Sequence, residues 1–347
     1  MPFTLKPVSE QTMIITGATS GIGLATARMA AERGAQVVLV SRDELDLRTV
    51  AEEIRAAGGR AMHLVADVAD PEALRAVAES AAKEFGRFDT WVNNAGVSIY
   101  GRIEEVSLDD ARRLFETNYW GVVNGSLAAL PRLRQTGGAL INIGSVLSST
   151  GYPLQGHYTA SKHAVKGFTD SLRIELEAEG APVSVTLIQP AAIDTPYPQH
   201  AKSYLGVEPK HQPPVYEPSV VAKAILDSAE RRRRDVLVGG GAKVFTTTEK
   251  YMPAAGDRFK AATSIEQQRS DRPARRIDTL WEPRAGDVSE RGEYPGRVMG
   301  SSLYTKARLH RGRTLLGLAA VGAGVAWAMR RRDGEESLPD QGWTSQS

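Results

Sequence analysis

Short apolar runs alternate with longer stretches of helical period along the first 240 residues. The runs are rich in Val, Ile and Leu and contain few polar residues, as expected of strands that are covered on both faces. Between them, segments such as 21–33 and 71–85 place apolar residues at the spacing of an amphipathic helix. This alternation predicts an α/β fold, in which helices cover both faces of one doubly wound parallel sheet. The seven predicted strands are 13–16, 36–40, 60–65, 90–93, 139–144, 183–189 and 235–238.

The chain changes character after residue 240. Residues 241–309 are polar, rich in arginine and interrupted by prolines, which predicts a partly ordered wrapping segment or a tether. Residues 310–332 contain an uncharged stretch, 314–329, between two groups of arginines. We therefore expect one domain over residues 1–240, a polar extension over 241–309, a short hydrophobic tail helix over 310–332 and a disordered C-terminus over 333–347.

The uncharged tail stretch has 16 residues. As a helix it would reach about 24 Å, against about 30 Å for the hydrocarbon core of a bilayer. The tail predicts membrane association, either across the bilayer, with the flanking arginines extended to the headgroups, or along its surface. A helix buried against the protein or a partner is the alternative. The N-terminus lacks the basic and apolar regions of a secretory signal, so we expect a cytoplasmic protein that its tail can anchor.

Charge and composition exclude several classes of function. The net charge of +2 over 347 residues excludes a uniformly basic nucleic-acid-binding protein. The chain has no cysteine, which excludes disulfides, thiolate metal sites and cysteine nucleophiles. None of the six histidines lies three or four residues from another, the separation that places two ligands on one helix face. We therefore predict no metal site and no nucleic-acid partner.

A glycine-rich segment follows the first predicted strand and opens the first predicted helix. It reads Thr16-Gly17-Ala18-Thr19-Ser20-Gly21-Ile22-Gly23. Glycines let the backbone turn tightly and approach a pyrophosphate, which the free amides and positive dipole of the helix N-terminus attract. A purely structural turn between strand and helix is the alternative. The predicted phosphate-binding residues are Gly17, Thr19, Ser20, Gly21, Ile22 and Gly23.

The G-x-x-x-G-x-G spacing of this turn resembles that of the short-chain dehydrogenase/reductase family. Further motifs follow in the family's order: Asn93-Asn94-Ala95-Gly96 ends the fourth strand, Ser145 follows the fifth, and Tyr158-Thr159-Ala160-Ser161-Lys162 opens the next helix. The resemblance covers residues 12–240. It implies a single Rossmann domain that binds a nicotinamide dinucleotide and catalyses hydride transfer between an alcohol and a carbonyl compound.

Four residues carry the expected reaction. Tyr158 and Lys162 are four apart and so lie on one face of a helix, where the ammonium is expected to lower the pKa of the phenol. Tyr158 would then act as general acid/base, while Ser145 hydrogen-bonds the substrate oxygen. The resemblance implies that Lys162 also binds the nicotinamide ribose and that Asn118 holds a water linking Lys162 to solvent. Taken singly, these residues would be a core tyrosine, a solvated lysine and a serine cap.

The resemblance also implies further cofactor contacts. Asp67, followed by Val68, ends the third strand at the family position that meets the adenine amine. A helix-capping role for Asp67 is the alternative, although Asp70 is the better placed cap. The remaining implied contacts, near the nicotinamide and the phosphates, are Asn94, Ala95, Gly96, Pro190, Ile193 and Thr195.

The end of the second strand predicts which nicotinamide cofactor is bound. An acidic residue there would bind both ribose hydroxyls and mark NAD, but the chain has Ser41 and Arg42. A guanidinium binds a phosphate in a bidentate manner, so we predict NADP. The alternative is NAD, with Asp43 turned back to the ribose and Arg42 stacked on the adenine.

A long segment after the sixth strand, 194–218, corresponds to the family's lid over the substrate. Its apolar members predict an alcohol or ketone with a sizeable hydrophobic part; they are Tyr197, Tyr204, Leu205, Val207 and Tyr216. Family members pair through helices that correspond here to 107–134 and 156–179, so the resemblance implies a homodimer or homotetramer. A non-catalytic NADP-binding scaffold and a membrane-tethered sensor on the same fold are the alternative functions.

Overall fold

The computed structural model describes residues 3–275 and 277–309. Residues up to Thr305 form one compact unit, and a second begins at Lys306. The first contains a seven-stranded, fully parallel sheet of order β7-β6-β5-β4-β1-β2-β3. Its strands are β1 (Thr12–Thr16), β2 (Gln36–Ser41), β3 (Arg60–Val65), β4 (Thr90–Asn93), β5 (Gly138–Ile143), β6 (Val183–Pro190) and β7 (Asp235–Val238).

The sheet confirms the predicted α/β class, and every predicted strand is present with its ends within one residue. The burial of each strand depends on whether it lies in the middle or at the edge of the sheet. The central strands β1, β4 and β5 are buried at every residue, because helices cover both of their faces. The edge strand β3 departs from the expected double-sided burial, and its last residue, Val65, is 52% exposed. An edge strand has a neighbour on one side only.

Helices cover both faces of the sheet, and α1 packs against α8 while α3 packs against α5. One cluster of the core joins α3, α5 and α6 to strands of the sheet and contains Trp91, which is fully buried. The helices are α1 (Gly21–Glu32), α2 (Glu44–Ala56), α3 (Pro71–Phe85), α4 (Leu108–Phe115), α5 (Gly121–Thr136), α6 (Gly156–Ala178), α7 (Tyr197–His200), α8 (Pro218–Glu230), α9 (Gly240–Tyr251), α10 (Pro253–Gln267) and α11 (Leu303–Leu309).

The predicted long helix 107–134 is interrupted. Ser107 caps α4 by accepting a hydrogen bond from the Asp110 amide, and a π-helical turn, Glu116–Trp120, separates α4 from α5. Such turns insert one residue into the helical register and re-aim the side chains next to them. Asn118, one of the predicted site residues, lies in this turn.

Residues 241–305 lie against the sheet domain. Helices α9 and α10 pack on each other, and the short strand Arg269–Pro273 pairs antiparallel with Val207–Pro209. A second short strand, Val298–Met299, pairs parallel with Val215–Tyr216. The polar extension therefore wraps the domain at the edge where its loops cluster.

The predicted membrane segment, 314–329, lies outside the described residues, as does the predicted disordered end. Among residues 3–275 and 277–309, none of the helices combines the length and apolarity that a bilayer span requires.

Candidate active site

The glycine turn after β1 has the geometry that its sequence predicts. Gly17 has a positive φ of 65°, and its amide donates to the Val40 carbonyl at the end of β2. A Cβ added at Gly23 would lie 2.0 Å from the Gly17 carbonyl oxygen, so only glycine fits there. The Asn94 side chain donates to the Thr16 and Gly17 carbonyls and braces the turn from β4. The turn is thus fixed at the carboxyl ends of β1 and β4.

Ser145, Tyr158 and Lys162 meet at the same edge of the sheet. Ser145 follows β5 and caps a short 3-10 helix, Val146–Ser148, by accepting a hydrogen bond from the Leu147 amide. Tyr158 and Lys162 lie one turn apart at the start of α6, and the Lys162 Nζ is 5.7 Å from the centroid of the Tyr158 ring. Ser145 therefore has the capping role proposed as its alternative and also lies beside Tyr158.

Lys162 and Asn118 are held by backbone groups. The Lys162 Nζ donates to the Ile143 carbonyl at 2.9 Å, and the lysine is 4% exposed. Asn118 is fully buried, and its side chain bonds to both the amide and the carbonyl of Val97 and to the Ser161 hydroxyl. These contacts fix the π-helical turn, which packs against α6, the helix that carries Lys162.

Burial controls the acid–base properties of the pair. It raises the pKa of Tyr158 above its usual value, although hydrogen bonds to Tyr197 and Ser145 act to lower it. Burial also lowers the pKa of Lys162 to about 8. The sequence-based expectation that the ammonium lowers the pKa of Tyr158 is therefore wrong for this structure, because desolvation of the phenolate outweighs its neighbours.

An inner cavity of about 1180 Å³, including its open mouth, lies above this group. It contains most of the predicted residues of the reacting end: Ile22, Asn94, Gly96, Ser145, Tyr158, Lys162, Pro190, Ile193 and Thr195. Its aromatic lining residues come from the loop after β4, the loop after β5, the predicted lid and the extension; they are Tyr100, Tyr152, Tyr197 and Phe245, in that order.

An outer cavity of about 730 Å³, including the open space at its mouth, lies between the glycine turn and the ends of β2 and β3. It contains the predicted residues of the adenosine end: Gly17, Thr19, Ser20, Ser41, Arg42, Asp67, Val68, Ala95 and Gly96. Gly21, Gly23 and Asn118 do not line either cavity and support the residues that do.

The polar residues of the outer cavity have defined partners. Asp43 caps α2 by accepting a hydrogen bond from the Asp46 amide, and Asp70 caps α3. Asp67 accepts hydrogen bonds from the Ala69 amide and from Arg113. These two donors outweigh burial and hold the pKa of Asp67 below its usual value. Its carboxylate therefore stays ionised at the cavity wall.

The predicted lid residues divide into two groups. Tyr197 lines the inner cavity, with its ring centroid 5.5 Å from that of Tyr158. Tyr204 and Tyr216 fasten the loop to neighbouring helices, because the Tyr204 hydroxyl donates to Asp110 on α4 and the Tyr216 hydroxyl accepts from the Gly240 amide at the start of α9. The predicted apolar lid therefore partly lines the cavity and partly attaches the loop to the rest of the domain.

Two groups of lining residues were not found from the sequence. Gln155 and His211 enter the inner cavity from the start of α6 and from the lid. Burial lowers the pKa of His211 to about 4, so its ring is neutral at pH 7. The extension supplies the other group, Thr279, Pro283, Arg284 and Asp287, which line the outer cavity. The only sequence signal for them is the apolar pair Leu280-Trp281 in a polar segment.

The residues present fit a nicotinamide dinucleotide. The sheet order reverses direction between β1 and β4, and the two cavities lie at the carboxyl ends of these strands, where such folds bind nucleotides. Gly17 leaves room for the close approach of backbones, since a Cβ there would lie 2.9 Å from the Ala95 Cα. The two cavities adjoin at Gly96, so a dinucleotide that crossed the glycine turn would reach both of them.

A family model described as short chain dehydrogenase matches residues 11–204. The chain belongs to the short-chain dehydrogenase family. It is 43% identical over 333 residues to the uncharacterized oxidoreductase YxnA of Bacillus subtilis, a match that covers 94% of this chain and 92% of that relative. The family assignment makes the protein an oxidoreductase that acts on CH–OH groups.

Two solved short-chain dehydrogenase structures share the fold. An alcohol dehydrogenase from Thermococcus sibiricus, complexed with 5-hydroxy-NADP, is 26% identical with a TM-score of 0.58, over 66% of this chain and 95% of its own. A short-chain dehydrogenase/reductase from Burkholderia phymatum, in complex with NAD, is 25% identical with a TM-score of 0.62. This match covers 78% of this chain and 98% of that structure's chain. The family neighbours thus bind both forms of the nicotinamide dinucleotide.

Proposed function

We propose that the protein interconverts a secondary alcohol and its carbonyl compound, with NADP(H) as hydride carrier and Tyr158 as general acid/base. The observation that supports this proposal most is that Ser145, Tyr158 and Lys162 line one cavity together with the loop that contains Ile193 and Thr195. An isolated tyrosine, lysine or serine has structural roles, but the three at one strand edge provide the groups that carbonyl reduction requires.

When bound, the dinucleotide supplies or accepts the hydride. The Ser145 hydroxyl donates a hydrogen bond to the substrate oxygen and stabilises the charge that develops there. In reduction, the Tyr158 hydroxyl gives its proton to that oxygen, and in oxidation the phenolate takes the proton back. Lys162 provides a positive charge beside the phenol, and Asn118 fixes the π-helical turn that packs against α6.

The preference for NADP over NAD follows from the end of β2. Asp43, the residue that would mark NAD, caps α2 through its side chain. Arg42 lines the outer cavity, where its guanidinium donates to two backbone carbonyls. Within the described residues, no carboxylate lies within ion-pair distance of it. A cation without an ion-pair partner at this position favours a phosphate on the ribose.

The walls of the inner cavity support an apolar substrate. Tyr100, Tyr152, Tyr197 and Phe245 line the same cavity as Tyr158, and its outer polar residues are Gln155, Lys210, neutral His211, Gln212 and Gln268. Such aromatic walls bind hydrophobic rings or chains, and the polar groups orient them. We therefore propose alcohols and ketones with a bulky hydrocarbon part.

The test is a substrate screen with NADPH consumption as the readout, made on the wild type and on Tyr158→Phe. We expect the wild type to turn over hydrophobic ketones. The turnover rate of the variant should be lower by at least about 100-fold, because the proton donor is lost. NADPH affinity should change little. Undiminished turnover in Tyr158→Phe would exclude its acid/base role, and a wild type that binds NADPH without any turnover would favour the scaffold alternative.

A further inference from the structure

Residues 277–292 of the extension form a strap across the outer cavity. Leu280 is fully buried and packs in the same apolar cluster as Tyr158. Further along, the Asp46 carboxylate accepts hydrogen bonds from the Gly286 and Asp287 amides. The strap thus passes from the end of β2 over the start of α2.

The strap then reaches the glycine turn and helix α1. The Ser289 carbonyl accepts a hydrogen bond from the Gly21 amide at 2.8 Å. Arg28 on α1 forms an ion pair with Glu290 at 2.8 Å. The strap is therefore bonded to the phosphate-binding turn itself.

The strap also orients Arg42. The two terminal nitrogens of this guanidinium donate to the Thr279 carbonyl at 2.5 Å and to the Trp281 carbonyl at 2.9 Å. Both acceptors are neutral, so they fix the direction of the guanidinium without cancelling its charge. The position of the side chain that favours NADP thus depends on the extension.

A second guanidinium lines the same cavity from the strap. Arg284 lines the cavity together with Arg42, and the carboxylate with which it forms an ion pair, Asp287, is 3.9 Å away. That carboxylate is already bonded to His200 at 2.5 Å. The other acidic residues of the cavity, Asp43, Asp46 and Asp67, accept hydrogen bonds from backbone amides or from Arg113. Two arginines are thus left facing one cavity without a hydrogen-bonded carboxylate.

We propose that the strap completes the cofactor site and that Arg284, together with Arg42, binds the 2′-phosphate of NADP. The inference rests on the proposed NADP preference and adds to it a residue that lies outside the segment matched by the family model. Two guanidiniums that line one cavity can both bind a phosphate there, and each contributes charge-assisted hydrogen bonds. A cofactor without this phosphate gains nothing from Arg284.

Isothermal titration of adenosine 2′,5′-bisphosphate and of 5′-AMP tests the proposal, because these ligands probe the adenosine end without turnover. Arg284→Gln should weaken binding of the bisphosphate about 10-fold or more and change that of AMP by less than about twofold. Arg297→Gln is the matched control: this arginine is an exposed residue of the extension that does not line the outer cavity. It should alter neither affinity.

Arg284→Lys retains a cation in the cavity lining and should recover most of the lost affinity. The proposal would be overturned if Arg284→Gln weakened the binding of both ligands equally or changed the affinity for neither. An equal loss of bisphosphate affinity in the Lys and Gln variants would also overturn it. The wild-type ratio of NADPH to NADH affinity reports separately on the proposed function. A wild type that prefers NADH refutes NADP as the cofactor, whereas the variants still decide whether Arg284 contacts the phosphate.

Discussion

At the scale of single residues, the site combines a phenol and an ammonium that are both largely removed from water. Tyr158 and Lys162 are 9% and 4% exposed, and burial shifts the pKa of each group toward its neutral form. The lysine is bonded to a carbonyl oxygen, a neutral acceptor, so its charge is only partly compensated. Keeping the Lys162 ammonium charged in the folded protein therefore lowers the free energy of unfolding, and this loss can be measured.

Replacing Lys162 with Met should change how stability depends on pH. In the folded protein the pKa of Lys162 is about 8, against 10.5 for a free lysine, so between these values the unfolded state binds more protons. Wild-type stability should therefore rise relative to Lys162→Met from pH 8 to pH 10.5, by on the order of 3 kcal/mol. Below and above this window the difference should be constant. Urea unfolding of both proteins across the range measures it, and parallel stability curves would contradict the assignment.

At the scale of elements, the extension is fastened to the domain by polar contacts. The ion pair between Arg291 of the strap and Asp194 is one of them, with 2.8 Å between Nε and Oδ2. The Asp194 side chain is 1% exposed, whereas that of Arg291 is 56% exposed. The contact therefore matters because it compensates a buried carboxylate in the loop that precedes Thr195.

Arg291→Gln should lower the free energy of unfolding by about 1–3 kcal/mol, since it leaves the Asp194 carboxylate buried without a charged partner. Arg272→Gln is the matched control in the extension. It removes an ion pair to Glu293 in which both side chains are more than half exposed, and such pairs contribute about 0–1 kcal/mol. Chemical denaturation of the two variants compares them. Equal decreases in the free energy of unfolding of the two variants would show that burial of the Asp194 carboxylate does not strengthen the effect of losing its partner.

The elements also show what a sequence can predict. The strands and the glycine turn were predictable because each is specified locally, by an apolar run or by positions such as Gly23 that admit no side chain. The π-helical turn at Asn118 has no such local signature and depends on tertiary bonds to Val97. The strap was missed because it has one buried apolar anchor, Leu280, and is otherwise bound through backbone groups that any sequence carries.

The same distinction holds within the site. The identity and proximity of Tyr158 and Lys162 follow from a spacing of four on a helix, a local property. The direction of the Tyr158 pKa shift depends on how many atoms from distant parts of the chain exclude water, and a spacing does not contain that information. Arg284 belongs to the site through chain folding alone, since more than 240 residues separate it from Arg42.

At the scale of the whole molecule, α4, α5 and α6 expose apolar side chains that this compact unit leaves uncovered. Leu108 and Leu127 are 68% and 58% exposed, and Ile174 on α6 is 66% exposed. These helices are the ones that the family resemblance assigns to pairing between subunits. A self-complementary pairing of this face would remove the exposed apolar area from water in both copies at once.

Leu127→Arg should therefore weaken self-association by about 10-fold or more, because a twofold interface would bury the substituted charge twice. Leu45→Arg is the matched control, since Leu45 is 60% exposed on α2, away from the proposed face. Sedimentation velocity over a range of protein concentrations measures both dissociation constants. A monomeric wild type, or an equal effect of the two substitutions, would exclude this pairing. A selective effect of Leu127→Arg would place the subunit interface on α5, next to the turn that contains Asn118.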